Sequence, residues 1–215
     1  MLIATSVSAQ QQNQPAAEVS TKDMPAQAQQ LSLAGDLVRY GYQTKQALPL
    51  IQAVQIYKSL GVTAGTEEKK VEGTPATSTL QKGQEVQFDE AQLLADATKF
   101  AEGNKNILAL IKDAEKSTRG AVGGPVRRVS AVSAGCTDTW TCRFRGGEVA
   151  YVVVSGDGDT DLDLYVYDEN GNFITSDTDY SDDCVVSFTP RWTGLFYIKI
   201  KNRGRVYNRY VVATN

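Results

Sequence analysis

The sequence predicts an α + β fold in separate domains, with a small N-terminal α-helical bundle followed by an all-β jelly-roll or sandwich domain. Two observations support this prediction. In the first half of the 215-residue chain, apolar residues recur with helical spacing, whereas from about residue 134 they alternate with polar residues, as in half-buried strands. Glycine-rich turn signals then interrupt the chain about every 8 to 12 residues, which is typical of a sandwich.

The first 22 residues predict a residual export signal followed by a flexible segment. Val7 and Ala9 stand at the two positions that signal peptidase reads before its cleavage site, and Gln10 opens a polar run. Because a basic start and a full apolar stretch are missing, the segment matches only the back half of a signal. We therefore expect an exported protein, extracellular or periplasmic, whose mature chain begins near Gln10. No later stretch reaches the roughly 20 apolar residues needed to span a bilayer, so no membrane span is expected.

Residues 23–117 are expected to form the helical domain, as two helical hairpins joined by a surface loop at 62–87. Each helix carries an apolar stripe, such as Ala28 and Leu31 in the first, which lets it pack against its neighbours. Glycine and proline indicate a linker at 118–133. The expected boundaries are Gly41 and Gly61 at the ends of the first two helices, Asp89 as the N-cap of the third, and Asn104 or Asn106 at the start of the fourth.

Residues 134–215 are expected to form the sandwich. In one candidate strand Leu162, Leu164 and Val166 alternate with other residues, so these three should face the core together. Turn signals such as Gly146-Gly147 separate the strands. The candidate strands are 137–145, 148–155, 161–167, 172–176, 183–189, 194–202 and 206–213.

The composition excludes several classes of function. The chain contains no histidine, which removes Ser-His-Asp and Cys-His catalysis as well as histidine-ligated zinc. The net charge is only −3, so there is no electrostatic argument for nucleic acid as a partner. Paired carboxylates could act in a glycosidase, but here they crowd glycine-rich turns instead of an apolar cleft. We therefore predict that the protein is not an enzyme.

Three cysteines, Cys136, Cys142 and Cys184, lie in the predicted sandwich. In an oxidising compartment two of them could form a disulfide. Cys136 and Cys142 on one straight strand would lie about 20 Å apart, so they could pair only if the chain turns between them. Cys142 and Cys184 could pair only if their strands are neighbours. The sequence leaves both pairings open.

Charge is segregated along the predicted sandwich. Residues 146–190 contain eleven acids and no lysine or arginine, whereas residues 191–215 contain six bases and no acid. Opposite charges on one domain favour head-to-tail contact, which builds filaments when the rotation between copies does not close. Self-assembly into an extracellular filament or surface layer is therefore one hypothesis for the function.

The acids are also candidate calcium ligands. Asp159, Asp161 and Asp163 share the outward face of one strand, and Asp179 belongs to a run expected to lie across the sheet end. Carboxylate oxygens are the ligands that calcium prefers, and like charges this dense normally need compensation. The alternative is that these aspartates are solvated turn formers, since aspartate makes local hydrogen bonds that favour turns.

The same stretch resembles the bacterial pre-peptidase C-terminal domain. The similarity covers about residues 134–215 and rests on the run Asp161-Leu-Asp-Leu-Tyr-Val-Tyr167 and on the later run Trp192-Thr-Gly-Leu-Phe-Tyr-Ile-Lys-Ile200. The resemblance implies a jelly-roll sandwich appended to exported proteins, often proteases. In relatives such as the collagen-binding domains of clostridial collagenases it implies substrate adhesion with bound calcium. Asp161 and Asp163 match the strand acids of the motif.

These observations favour a non-catalytic binding or adhesion module that calcium stabilises. Its expected partner is a protein or polysaccharide surface, or a second copy of the chain. Tyr165 and Tyr167 are candidate contact residues because they alternate with core residues beside Asp163 and because tyrosine is enriched at interfaces. The alternative for both tyrosines is ordinary cross-strand packing.

Overall fold

The computed structural model describes residues 11–13, 24–77, 80, 82–83, 85–116 and 125–215. The predicted export signal lies outside these residues. The described residues form four helices and ten strands in this order: α1 (Ala26–Thr44), α2 (Ala47–Ser59), β1 (Thr63–Ala64), β2 (Lys70–Glu72), α3 (Glu90–Phe100), α4 (Lys105–Lys116), β3 (Val126–Val132), β4 (Thr137–Phe144), β5 (Ala150–Ser155), β6 (Leu162–Asp168), β7 (Phe173–Asp177), β8 (Asp183–Phe188), β9 (Gly194–Asn202) and β10 (Asn208–Thr214).

The helices follow the predicted apolar stripes, with one correction at the end of α1. Asp89 caps α3, because its side chain accepts a hydrogen bond from the backbone N–H of Gln92 at 3.1 Å. The prediction that Gly41 ends the first helix is wrong, since α1 continues to Thr44. A Cβ at Gly41 would lie 2.5 Å from the side chain of Leu50. This glycine therefore allows α1 and α2 to approach closely.

The strands form two five-stranded sheets that pack face to face. Sheet A has the order β1-β3-β10-β5-β8, and sheet B has the order β2-β4-β9-β6-β7. Among the pairs that the structure describes, β1 and β3 are parallel and the others are antiparallel. Leu162, Leu164 and Val166 are fully buried in the core between the sheets. All seven predicted strands are present, and their alternating residues face the core as predicted.

Three strands arise where the sequence indicated a loop and a linker. β1 and β2 fall within the predicted loop at 62–87, and β3 lies in the second half of the predicted linker at 118–133. The linker was predicted from the glycine and proline residues that precede β3, whereas β3 itself contains two consecutive arginines that are both buried. Arg127 donates to the carbonyl of Phe88 at 2.6 Å, and Arg128 donates to Glu67 at 3.0 Å. Their partners lie far away in the sequence, so the local pattern could not reveal this strand.

The helices and sheet A share one apolar core. Buried residues of the helices pack with Tyr151 and Val153 of β5 and with Val211 and Ala213 of β10. The molecule therefore has three layers, with the helices on the outer face of sheet A and sheet B on the far side. The predicted fold class, with helices in the N-terminal half and a sandwich in the C-terminal part, is confirmed, although β1 and β2 lie between α2 and α3. The helical part and the sandwich are joined by a packed interface as well as by the chain.

The three cysteines are buried and none forms a disulfide. Cys136 comes just before β4 and Cys142 lies within it, so the chain does not turn back between them. Cys184 belongs to β8 in sheet A, whereas Cys142 belongs to sheet B. Neither of the pairings that the sequence left open is formed, because the conditions that each required are not met.

Candidate functional site

The outward side of sheet B carries a row of aromatic side chains. In the register, Tyr167 of β6 pairs with Tyr197 of β9 on one side and with Phe173 of β7 on the other. Side chains opposite each other on neighbouring strands point to the same face. Tyr165 lies on this face as well, two residues before Tyr167. We call Tyr165, Tyr167, Phe173 and Tyr197 the aromatic face.

The described residues leave this row partly exposed. The helices cover sheet A, and the core that they share with the sandwich includes no residue of sheet B among those described. Phe173 has 47% of its surface exposed, and Leu195 of β9 has 40%. The three tyrosines are half-buried. Exposed aromatic residues grouped on one sheet face are a feature of interaction surfaces.

The rings of the aromatic face do not lie in one plane. The ring centroids of Tyr167 and Phe173 are 5.9 Å apart, and the ring planes meet at 72°. Lys199 lies on the other side of Tyr167, with its Nζ 5.7 Å from the ring centroid. The Tyr165 hydroxyl donates to Asp163 Oδ2 at 3.0 Å. The face thus has tilted rings with polar groups between them.

Basic side chains outnumber acidic ones around the aromatic face. Glu72 forms an ion pair with Lys199 at 3.3 Å, and Asp163 forms one with Arg203 at 3.5 Å. The bases at outward positions of the described strands are Lys70, Arg143, Lys199 and Lys201, and the acids there are Glu72 and Asp163. An acidic surface would complement this excess of positive charge.

The predicted calcium ligands lie at one end of the sandwich but do not share one site. Asp159 accepts hydrogen bonds from Lys82 Nζ at 2.8 Å and from the backbone N–H of Gly83 at 3.1 Å. Asp163 is bound by Tyr165 and Arg203, as described above. Asp179 accepts a hydrogen bond from the Ser181 hydroxyl at 2.7 Å. Lys82 therefore occupies the place beside Asp159 that a bound calcium ion would need.

Asp161 is the exception among the four. Its Oδ1 is buried and has no hydrogen-bond partner among the described residues. Burial raises the pKa of its carboxyl, and the nearby charges of Asp163 and Asp179 raise it further against the opposing effect of Arg203. Within the described part of the chain, however, no three acidic or cysteine side chains converge closely enough to hold a metal ion. The four predicted ligands therefore do not converge on one point among the described residues, and calcium binding stays a prediction.

Cations from the helical half neutralise much of the acidic run. Arg39 of α1 donates to Asp183 Oδ1 at 2.6 Å and lies 3.8 Å from Asp182. Lys82 lies between Asp157 and Asp159, with Nζ···Oδ2 distances of 2.6 and 2.8 Å. The charge segregation that the sequence shows is therefore largely compensated inside the folded chain.

A cavity of about 400 Å³ lies where α1 meets the opposite end of the sandwich. Its charged lining includes Arg145 and Glu148, which form an exposed ion pair at 3.7 Å. The described lining contains no serine, threonine, cysteine or lysine that could act as a nucleophile. The residues that line it are Gln27, Arg143, Phe144, Arg145, Glu148, Val149, Ala150 and Asn215.

Sequence reasoning identified only half of the aromatic face. Tyr165 and Tyr167 were predicted from their strand, and Tyr197 could have been found the same way, since it alternates with the buried Phe196 and Ile198. Phe173 could not have been found in this way. The pairing register of β6 with β7 shifts between Val166 and Tyr167, which breaks the alternation of inward and outward residues.

Comparisons with known proteins give one relevant similarity. No protein-family model and no curated protein matches the chain. Among solved structures, the chain is similar to the pre-peptidase C-terminal domain of a collagenase from Bacillus anthracis. The two are 8% identical, the match covers 42% of this chain and 76% of the other, and the TM-score is 0.26. No described helix is long and apolar enough to cross a membrane.

Proposed function

We propose that this chain is a non-catalytic, exported binding module that attaches to a protein surface through its aromatic face. The observation that carries the proposal is the row of Tyr197, Tyr167 and Phe173 on the uncovered side of sheet B. Tyrosine, phenylalanine and arginine are the side chains enriched where proteins meet, and a few buried aromatic anchors supply most of the binding energy. The sheet holds these rings rigidly, which lowers the entropy lost on binding.

The ring geometry favours a protein partner over a polysaccharide. A sugar chain lying along a sheet needs aromatic rings that are coplanar, so that successive sugar rings can stack on them. Tyr167 and Phe173 meet at 72° instead. Tilted rings with lysines between them suit the irregular surface of a protein, and the excess of basic groups favours an acidic one.

Binding to immobilised surfaces tests this proposal. We would compare the intact protein on fibrillar collagen, on an albumin coat as an acidic protein surface, and on cellulose and chitin. The Tyr167→Ala variant should weaken binding to a protein surface at least tenfold, about 1.4 kcal/mol, because an anchor ring is lost. Tyr180→Ala is the matched control, since Tyr180 is fully exposed and lies outside the aromatic face. Binding only to the polysaccharides, or equal binding by both variants, would contradict the proposal.

Calcium stabilisation stays a separate prediction of the sequence. Lys82 and Arg203 of the chain already compensate the negative charges of Asp159 and Asp163. From these ion pairs we expect calcium to change the stability only through ionic strength. Calcium chloride should then raise the melting temperature no more than sodium chloride at equal ionic strength. A larger rise with calcium, lost in Asp161→Asn, would support the original prediction.

Self-assembly also stays a prediction. Its electrostatic basis was the segregation of acids and bases along the sequence, and pairs such as Arg39 with Asp183 satisfy much of that charge within one chain.

A further inference from the structure

The described N-terminal residues, 11–13, lie against one end of the sandwich. Asn13 has 0% of its surface exposed, although the sequence predicts flexibility for this segment. Gln12 donates a side-chain hydrogen bond to the carbonyl of Phe173 on β7, which is an edge strand of sheet B. Gln11 and Gln12 are themselves exposed. One side chain of the segment is therefore inserted into the sandwich while its neighbours stay at the surface.

Asn13 makes hydrogen bonds that require both the donor and the acceptor of its side-chain amide. Its Nδ2 donates to the backbone carbonyl of Trp192 at 3.1 Å, and its Oδ1 accepts from the backbone N–H of Trp192 at 3.0 Å. Its own backbone N–H donates to Asp168 Oδ2 at 3.0 Å. Both ends of the amide and one main-chain group are thus bound by groups of the sandwich.

Two turns hold the residues that form this pocket. Asp168 Oδ1 accepts from the backbone N–H groups of Asn170 and Asn172, which fixes the carboxylate at the β6–β7 turn. Burial opposes its ionisation, but the hydrogen bonds from Asn172, Asn13 and Asn170 outweigh that effect and lower the pKa of Asp168. The β4–β5 turn supports Trp192, since a Cβ at Gly146 would lie 2.6 Å from the Cα of Trp192.

The pocket distinguishes asparagine from similar side chains. An aspartate would place a charged oxygen against the Trp192 carbonyl and could not donate to it. A glutamine is one methylene longer, so it could not keep both the amide pairing and the main-chain bond to Asp168. An apolar residue would leave the partly buried main-chain groups of Trp192 without these partners, and the cost per group has an upper limit of about 1–3 kcal/mol, the value for full burial.

We propose that the pocket formed by Asp168 and Trp192 is a recognition site for an asparagine in an extended peptide, filled in this chain by its own Asn13. The side-chain hydrogen bond from Gln12 to the carbonyl of Phe173 places the peptide beside the edge strand β7. The ligand class is an extended segment that carries asparagine after a glutamine, and the N-terminal segment of a second copy belongs to the same class.

The test uses the full chain with its own segment displaced. In Asn13→Asp the pocket should be open, and Asn13→Ala serves as a second such variant. The probe is a synthetic peptide of residues 10–16, Gln-Gln-Gln-Asn-Gln-Pro-Ala, titrated into ¹⁵N-labelled protein while the Trp192 backbone and indole signals are followed by NMR. The chain itself tethers Asn13 to the sandwich, and a short tether supplies an effective concentration in the millimolar range. A pocket that is filled in this way must therefore bind the free peptide with a Kd of about millimolar or below.

We expect saturable shifts of the Trp192 signals in both variants and at least tenfold weaker apparent binding in the unaltered chain, whose pocket is occupied. Gln11→Ala is the matched control and should behave like the unaltered chain, because Gln11 is exposed. The same peptide with aspartate in place of asparagine should not bind. Absence of Trp192 shifts in the two variants at about 5 mM peptide, or equal binding of the aspartate peptide, would overturn the proposal.

Discussion

At the scale of single residues, Lys82 is the side chain on which the acidic end of the sandwich depends. Its Nζ lies 2.6 Å from Asp157 Oδ2 and 4.2 Å from the ring centroid of Tyr207. Burial lowers the pKa of Lys82, but its hydrogen bonds to Asp157 and Asp159 outweigh this effect, so the pKa is raised. The side chain of Asp157 is completely buried. Without Lys82, its carboxylate would lose its compensating cation.

Replacing Lys82 with methionine should destabilise the protein by about 3 kcal/mol, because a buried carboxylate is left without its partner. Urea unfolding at neutral pH measures the change. The control is Lys70→Met, since Lys70 is exposed and lies 3.6 Å from the half-exposed Glu72. That pair should contribute less than about 1 kcal/mol. Equal losses in the two variants would contradict the role given to Lys82.

At the scale of elements, the approach of α1 to β5 sets how the helices sit on the sandwich. Gly35 of α1 faces Ser155 of β5, and a Cβ at Gly35 would lie 2.2 Å from the serine hydroxyl oxygen. Ser155 is itself buried. The missing side chain therefore lets the helix contact the sheet, and Arg39, one turn further along α1, then reaches Asp183.

The Gly35→Ala variant should lose about 1–3 kcal/mol, since overpacking forces the helix and the strand apart. Alanine favours a helix over glycine by about 1 kcal/mol, so an unconstrained helix would become more stable instead. Thermal unfolding followed by circular dichroism separates the two results. Gln30→Ala, at an exposed position of the same helix, is the control and should change the stability by less than about 0.5 kcal/mol. A gain in stability for Gly35→Ala would show that α1 does not hold this close contact.

At the scale of the whole molecule, the sandwich depends on residues that precede its predicted boundary. β3 pairs with β10 along its length, from Val126 with Thr214 to Val132 with Asn208. The segment around β2 also joins the two sheets. Lys69 contacts Asp138 of β4, and the same carboxylate accepts from the hydroxyl of Tyr210 in β10 at 2.7 Å.

A fragment of residues 134–215 should therefore not fold on its own. It lacks β3, and it exposes the apolar face of sheet A that the helices cover, including Tyr151 and Val153. We expect weak, non-cooperative thermal unfolding and strong binding of a hydrophobic dye, whereas the full chain should unfold in one cooperative transition. A fragment that melts cooperatively at the temperature of the full chain would show that the sandwich is an independent domain.

The sequence by itself determined the features that depend on neighbouring residues. The spacing of apolar residues fixed four helices and seven of the strands, and Asp89 marked the start of α3, because these signals act within one or two turns of the chain. The same alternation identified Tyr165 and Tyr167 as outward-facing residues of the aromatic face.

Only the tertiary structure decided which distant groups meet. Lys82 and Asp157 are 75 residues apart, and Asn13 and Trp192 are 179 apart. Arg127 and Arg128 belong to a strand of the sandwich although glycine and proline beside them predicted a linker, and their partners Phe88 and Glu67 come from the helical half. An ion pair or a buried amide gains its stability from a partner brought close by folding, and no local pattern in the sequence encodes that distance.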